Sequence, residues 1–274
     1  MVIVAANAGG AWTPIGDVTT TMLWIGGQIT SLKVIKELFL PSVVSMLFPL
    51  ILFTFSLKGK FPKSDIDFRD ERLEPGAHIV FYLGILLFLF VPVFKALTGL
   101  PPFMGMLISL SIMWGVTDVM HRRYEQRHHL RVPHILTKID VSSVLFFLGI
   151  LLGVNALEST GILDGAAQWL NRNMGSEAII ASVIGIVSAI IDNVPLVAAT
   201  MGMYDLQTTP TDSPLWLMIA YAAGTGGSIF VMGSSAGVAL MALENVDFFS
   251  YLKKLSLPVL IGYILGILVF VFTT

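Results

Sequence analysis

Several apolar stretches of about twenty residues constrain this chain more than anything else in it, because a helix of that length spans the roughly 30 Å hydrocarbon core of a bilayer. They lie at 38–57, 78–97, 102–120, 141–157 and 255–272. Composition agrees. Of 274 residues 55% are hydrophobic and 12% charged, against about 25% charged in a soluble domain, and mean hydropathy is +0.83. The fold class predicted is an all-α polytopic membrane protein, which excludes an ordinary cytosolic enzyme. No cysteine is present, so disulfides, thiolate metal sites and cysteine nucleophiles are excluded. A net charge of −2 is unlike the basic footprint of a nucleic-acid partner, so the lipid bilayer is the expected surrounding and no nucleic acid is expected.

Half of the charges fall in two short stretches, ten in 58–74 and seven in 122–140. These read as aqueous loops, 58–77 and 121–140, flanking the two spans of 78–120. His121, His128, His129 and His134 lie among the arginines of the second loop without a helical metal-binding spacing, and read as solvated. Three further apolar regions are unusual. Segments 2–30 and 214–241 are long enough to cross but are interrupted by glycine and polar residues. Segment 177–205 has two arms, each too short to cross at 1.5 Å per residue, around Asp192-Asn193-Val194-Pro195. It reads as a re-entrant hairpin. With the hairpin non-crossing, twelve Lys and Arg fall on one face and four on the other. By the positive-inside rule the first face is cytoplasmic, which puts the N-terminus inside and the C-terminus outside.

An internal repeat sits where the spans break. Offset by 217 residues, Ala5 to Asp17 aligns without gaps on Ala222 to Ser234, with five identical positions. Paired segments interrupted by Gly or Pro are the best sequence pointer to the binding site of a secondary transporter. A helix in lipid unwinds only where its backbone lines a cavity or is buried in protein. Gly9, Gly10, Pro14 and Gly16 would unwind the first segment, Gly224, Gly226 and Gly227 the second, and Pro195 marks the hairpin tip. Freed carbonyls and hydroxyls are hard oxygen ligands suited to a hard cation. The first break offers Asn7, Thr13, Asp17, Thr19, Thr20 and Thr21; the second offers Thr225, Ser228, Ser234 and Ser235. Close helix packing through small residues is the competing explanation of the same pattern.

Asp17 and Asp192, with Asn193 beside it, are the informative polar positions, since a carboxylate deep in an apolar segment costs several kcal/mol unless paired or hydrated. Desolvation favours protonation and a nearby cation opposes it. One carboxylate therefore takes a proton or a sodium ion but seldom both, which is the simplest basis for coupled exchange. Both aspartates also suit helix N-caps, a role compatible with ion binding. Asn155 and Glu158, near the end of one span, suit an access route or a plain interfacial role. Two other classes fit less well. An intramembrane aspartyl protease would use Tyr204-Asp205 with Gly16-Asp17, but Pro14 breaks the second motif. A non-transporting assembly subunit is the other.

The string Asn7 to Trp24 (NAGGAWTPIGDVTTTMLW), with Ile191 to Ala199 (IDNVPLVAA) and Gly224 to Ser228 (GTGGS), closely resembles the NhaD-type sodium/proton antiporters of the ion transporter superfamily, over essentially the whole chain. The resemblance implies a multi-pass protein of the bacterial inner membrane that exchanges Na+ or Li+ for H+ by alternating access, with no cofactor. It implies two inverted repeats, each with a hairpin and a broken helix. Residues 1–57 would close the first repeat, and 141–274 would be the second. Most of the first repeat is then expected from sequence before Met1, from another chain, or from a homo-oligomer, so the fold expected is an N-terminally incomplete inverted-repeat transporter. Neighbouring families carry citrate, dicarboxylates or arsenite on the same architecture. No Lys or Arg lies in the broken helices or the hairpin tip, which favours a cation over an anion.

Overall fold

The computed structural model describes residues 1–56, 74–244 and 246–274, and among them every regular element is a helix. In chain order these are α1 (Val2–Ala11), α2 (Val18–Gly26), α3 (Ser31–Ser56), α4 (Ala77–Thr98), α5 (Pro102–His121), α6 (Val132–Leu136), α7 (Val141–Ser159), α8 (Ile162–Met174), α9 (Glu177–Ser188), α10 (Asn193–Met203), α11 (Pro214–Gly226), α12 (Ser235–Glu244), α13 (Phe248–Tyr251) and α14 (Leu257–Thr273). A 3-10 turn, Glu125–Leu130, precedes α6, and a π-helical turn, Leu252–Ser256, joins α13 to α14. Pro258 accounts for that turn: it lacks the N–H that would bond the Lys254 carbonyl, and a π turn absorbs the mismatch. Helices α3, α4, α5 and the continuous 248–273 stretch are long and apolar enough to cross a membrane. The chain is a polytopic, all-helical membrane protein.

Two compact units divide the chain, 1–58 with 146–274 and 59–145. In the first, α14 packs along α3, and α9 along α11. The α3–α14 contact is close because Gly262 and Gly266, one turn apart, leave room for backbone. A Cβ at Gly262 would stand 2.5 Å from the Ser45 carbonyl oxygen, and one at Gly266 2.8 Å from that of Pro41. This is the small-xxx-small packing of membrane helices. Pro41 and Pro49 lie inside α3, and Pro49 removes the donor that the Ser45 carbonyl would otherwise meet. Helix α11 is buried from Leu215 to Gly226.

In the second unit α4 and α5 form an antiparallel pair, with the Ser109 hydroxyl donating to the Leu87 carbonyl (3.2 Å). Two features differ from the sequence reading. Segment 121–140 is not simply a solvated loop, since it holds the 3-10 turn and α6, with His121 and Val132 buried. Between the span at 141–157 and the hairpin, where the sequence reading placed no element, Ile162–Met174 forms α8, which turns 75° from α7. Its apolar Ile162, Leu163, Ala166, Trp169 and Leu170 share one face opposite Asp164, Gln168, Asn171 and Arg172. That pattern suits a helix lying in the membrane interface rather than crossing it. Most of the charged loop 58–77 lies outside the described residues.

Candidate functional site

The two aligned segments break in a similar way, although α1 runs two residues further than α11 before it stops. Helix α1 stops at Ala11 and α2 starts at Val18; α11 stops at Gly226 and α12 starts at Ser235, so the 217-residue offset maps the second start onto the first. In both copies the glycine opening the break lies against the glycine closing it. A Cβ at Gly10 would meet the Gly16 carbonyl oxygen at 2.8 Å, and one at Gly227 would meet that of Gly233 at 2.5 Å. The same turn bond recurs, Gly16 N–H to Thr13 O at 3.3 Å and Gly233 N–H to Phe230 O at 3.2 Å. Only residues without a Cβ permit this approach. Pro14 lies inside the first break and Pro195 in the first turn of α10, where a proline costs no hydrogen bond.

The breaks meet. Asn7 Nδ2 donates to Ser228 Oγ at 2.9 Å in a buried contact that joins α1 to the second break. Gly224 faces the first break: a Cβ there would touch Ala11 Cβ (3.0 Å) and Asp17 Oδ2 (3.3 Å). The 189–192 turn between α9 and α10 completes the cluster, with the Ala189 carbonyl oxygen 2.7 Å from a Cβ placed on Gly233. The Ser188 hydroxyl donates to the Gly185 carbonyl (2.7 Å) and reaches that of Ala223 (3.4 Å).

Within this cluster Asp17 occupies the N-cap position of α2 and Asp192 that of α10. Both are half-buried, and they are close enough for their charges to interact. The Thr19 hydroxyl donates to Asp17 Oδ2 (2.6 Å), and the Thr21 hydroxyl to the Asp17 backbone carbonyl (2.7 Å). Asp192 accepts from the Val194 N–H (3.5 Å). Ser234 caps α12 by accepting from the Gly237 N–H (3.3 Å). Thr225 is buried and donates to the Tyr221 carbonyl (2.6 Å); Thr20, also buried, reaches the Ala11 carbonyl (3.5 Å), and Thr13 that of Gly10 (3.4 Å). Asn193 is buried at the start of α10. Four expected participants stand apart: Gly9 and Ser235 are exposed, and Asn155 and Glu158 are exposed on α7, with Glu158 beside Gly202.

Sequence reasoning missed two groups. Buried tyrosines satisfy carbonyls around the breaks: Tyr251 OH donates to Ser228 O (2.7 Å), Tyr221 OH to Tyr263 O (3.0 Å) and Tyr263 OH to Ser182 O (2.9 Å). A phenol has an apolar ring and one polar tip, which suits that task in lipid. Ser45 is the other. With Thr225, Ser228 and Tyr263 it lines a cavity of about 10 Å³, the size of one water-sized sphere. Its signal was a Ser followed by Pro four residues later inside an apolar run. Among the described residues no three His, Asp or Glu side chains cluster as metal ligands. A cation here would be held by hydroxyl and carbonyl oxygens with one or two carboxylates.

Comparison with known proteins gives two results. The citrate transporter family, CitMHS, matches residues 1–224. Among individual relatives, Sodium/proton antiporter 1 of Arabidopsis thaliana is 55% identical over 269 residues, covering 97% of this chain and 47% of the relative. Sodium/proton antiporter 2 of the same plant is 51% identical, covering 98% and 65%. The Na(+)/H(+) antiporter NhaD of Vibrio cholerae is 28% identical, covering 97% and 59%. The chain thus spans about half to two-thirds of the length of the curated relatives it matches.

Proposed function

Since the chain belongs to the citrate transporter family, we propose that it forms the cation site of a sodium/proton antiporter working by alternating access. The observation that carries this reading is the convergence of the two helix breaks and the 189–192 turn on Asp17 and Asp192. The names of the relatives support a cation as cargo, and so do the acidic groups at the breaks. A carboxylate that gains Na+ releases its proton, and one that gains a proton releases Na+. Exchange follows when the occupied site opens to alternate faces. Asp192 and Asp17 carry the competing ions, Asn193, Thr225 and Ser228 supply neutral oxygens, and Asn7 holds Ser228 in place. Thr13, Thr19 and Thr20 support the first break, and Ser234 orients the second. On this reading 1–57 and 141–274 belong to two inverted repeats, and 177–205 is re-entrant. Resemblance to NhaD supports a bacterial inner membrane with the 121–140 loop in the cytoplasm. Sodium/proton antiporters 1 and 2, both above 50% identity, are plant proteins, and fractionation of the source cell decides between these membranes.

The test uses everted vesicles from an antiporter-deficient host expressing the full native reading frame. Sodium added to respiring vesicles should collapse the pH gradient; Asp192→Asn and Asp17→Asn should abolish the response at unchanged membrane levels. Full exchange by Asp192→Asn removes that residue from the mechanism. A response to citrate in place of sodium overturns the cation reading.

A further inference from the structure

From a groove at one end of the α4–α5 pair, we infer that this protein carries a bound anionic phospholipid, its acyl chain along α5 and its phosphate at His121. The groove has a volume of about 610 Å³ and is lined mainly by apolar side chains of α4, α5 and α6, among them Val80, Phe81, Leu110, Met113, Ile135 and Leu136. From Leu110 to His121 it follows α5 for about 16 Å at 1.5 Å per residue. That depth matches one leaflet, half of a hydrocarbon core about 30 Å thick. The head end is also defined: α4 begins there at Ala77, α5 ends there at His121, and both adjoin the charged segments of the sequence. An amphiphile of leaflet length fits, polar end at His121 and tail toward Leu110.

His121 makes this more than a lipid-facing hollow. It lines the groove, is only 2% exposed, and its Nδ1 has no hydrogen-bond partner among the described residues. A buried polar atom left unpaired costs about 1–3 kcal/mol, so an unpaired ring nitrogen beside a groove points to a ligand that pairs it. A phosphate oxygen accepts from such an N–H. The other polar groups of the lining are committed elsewhere: the Thr117 hydroxyl donates to the Met113 carbonyl (2.9 Å), and Glu74 pairs with His129 (3.8 Å).

Charge selects the headgroup. Arg122 and Arg123 follow His121 directly and are exposed, Arg131 follows Leu130 of the groove wall, and Arg127 lies three residues before it. Arg131 is held by Asp118, its Nε 2.8 Å from Oδ1, and the Arg127 guanidinium stacks 4.2 Å from the Tyr124 ring centroid. Arg122 and Arg123, exposed and directly after His121 in the chain, are the cations assigned to the headgroup. Basic pockets between membrane helices recognise anionic lipid headgroups in this way.

Native mass spectrometry of the full chain, released from micelles holding equimolar phosphatidylglycerol and phosphatidylcholine, tests the inference. The expected result is a one-to-one adduct enriched in phosphatidylglycerol, with the preference falling about fivefold for each of Arg122→Gln and Arg123→Gln. His121→Leu should weaken the phosphatidylglycerol adduct, and Met113→Trp, which fills the groove, should remove adducts of both lipids while the far-UV helix signal is kept. Because the arginine variants are at the surface and leave the fold intact, their result stands even if Met113→Trp fails to fold. Equal adducts of both lipids, or a preference indifferent to the two arginines, overturns the proposal. A lipid-free dimer cross-linked through Ile135→Cys also overturns it, assigning the groove to a second copy. None of these readouts depends on ion exchange.

Discussion

Replacing Gly226 by alanine should unsettle the site, whereas the same change at Gly9, its counterpart in the repeat, should not. A Cβ at Gly226 would fall on the Gly185 carbonyl oxygen and lie 2.9 Å from both the Gly185 carbonyl carbon and Ser188 Oγ. Carbon contacts are optimal near 3.5–4.0 Å, and the obstacle is mainly backbone of α9. Helices α9 and α11 must therefore separate by about 1 Å or more. The 3.4 Å contact of Ser188 Oγ with the Ala223 carbonyl is then lost, and the Ala189 carbonyl moves away from Gly233. Overpacking of this kind costs about 1–3 kcal/mol. At Gly9 nothing lies within 4 Å, so alanine there gains up to about 1 kcal/mol of helix propensity. Thermal unfolding of the purified 274-residue chain in one detergent, followed by tryptophan fluorescence, checks the pair. At roughly 2–4 °C per kcal/mol, Gly226→Ala should melt about 2–12 °C below the parent and Gly9→Ala at or slightly above it. Equal midpoints for the two variants would refute the close α9–α11 contact.

A double-mutant cycle of Asn7→Ala and Ser228→Ala, read by the same unfolding assay, should give a coupling of about 0.6 kcal/mol and no more than about 1.7, the range for hydrogen bonds between membrane helices; strict additivity would remove that bond. Asp212 holds φ +63° while its carboxylate accepts from the Thr30 N–H and hydroxyl, each at 2.7 Å. Asp212→Asn should therefore be the mildest change there, and Asp212→Ala should be less stable than Asp212→Gly by about 1–2 kcal/mol. Arg131→Gln should cost no more than about 1 kcal/mol, since its pair with Asp118 is partly exposed; a larger drop in melting temperature would mean that the pair holds the 121–140 segment in place.

What could be read in the sequence followed from how plainly lipid punishes exceptions. Glycines and a proline inside apolar runs lie close to where helices stop: α1 ends one residue after Gly10 and α11 at Gly226, while α2 starts two residues after Gly16. A long uninterrupted run was equally legible, as in α4 and α5. Helix α8 was not, because five of its thirteen residues are polar and its signal is an amphipathic face rather than a run. The Gly262/Gly266 pair and the three carbonyl-binding tyrosines were also passed over. Each looks like ordinary apolar sequence until the partner helix is known, since the carbonyls of Ser45, Ser182 and Ser228 that they approach or bond are remote in the chain.

The repeat shows where local coding stops. Gly10 with Gly16, and Gly227 with Gly233, build one turn twice, so the break itself is written in residues within seven positions of each other. What surrounds it is not. Asp17 and Ser234 are equivalent N-caps by the same offset, yet one is a carboxylate and the other a hydroxyl. Gly226 is clamped against α9, while Gly9 is exposed. The equivalents Gly10 and Gly227 share the same close neighbours, and all of these lie within the break itself, whereas Gly9 and Gly226, which face outward from it, share none. What the copies share is the unwound backbone, a feature whose cost in lipid is offset only by partners for its carbonyls. Tyr251 bonds one of these, the Ser228 carbonyl, and the Thr13 hydroxyl another, that of Gly10. A cation bound at the breaks would complete the shell of those that remain, which is the physical reason for reading paired breaks as a transport site rather than as a packing device.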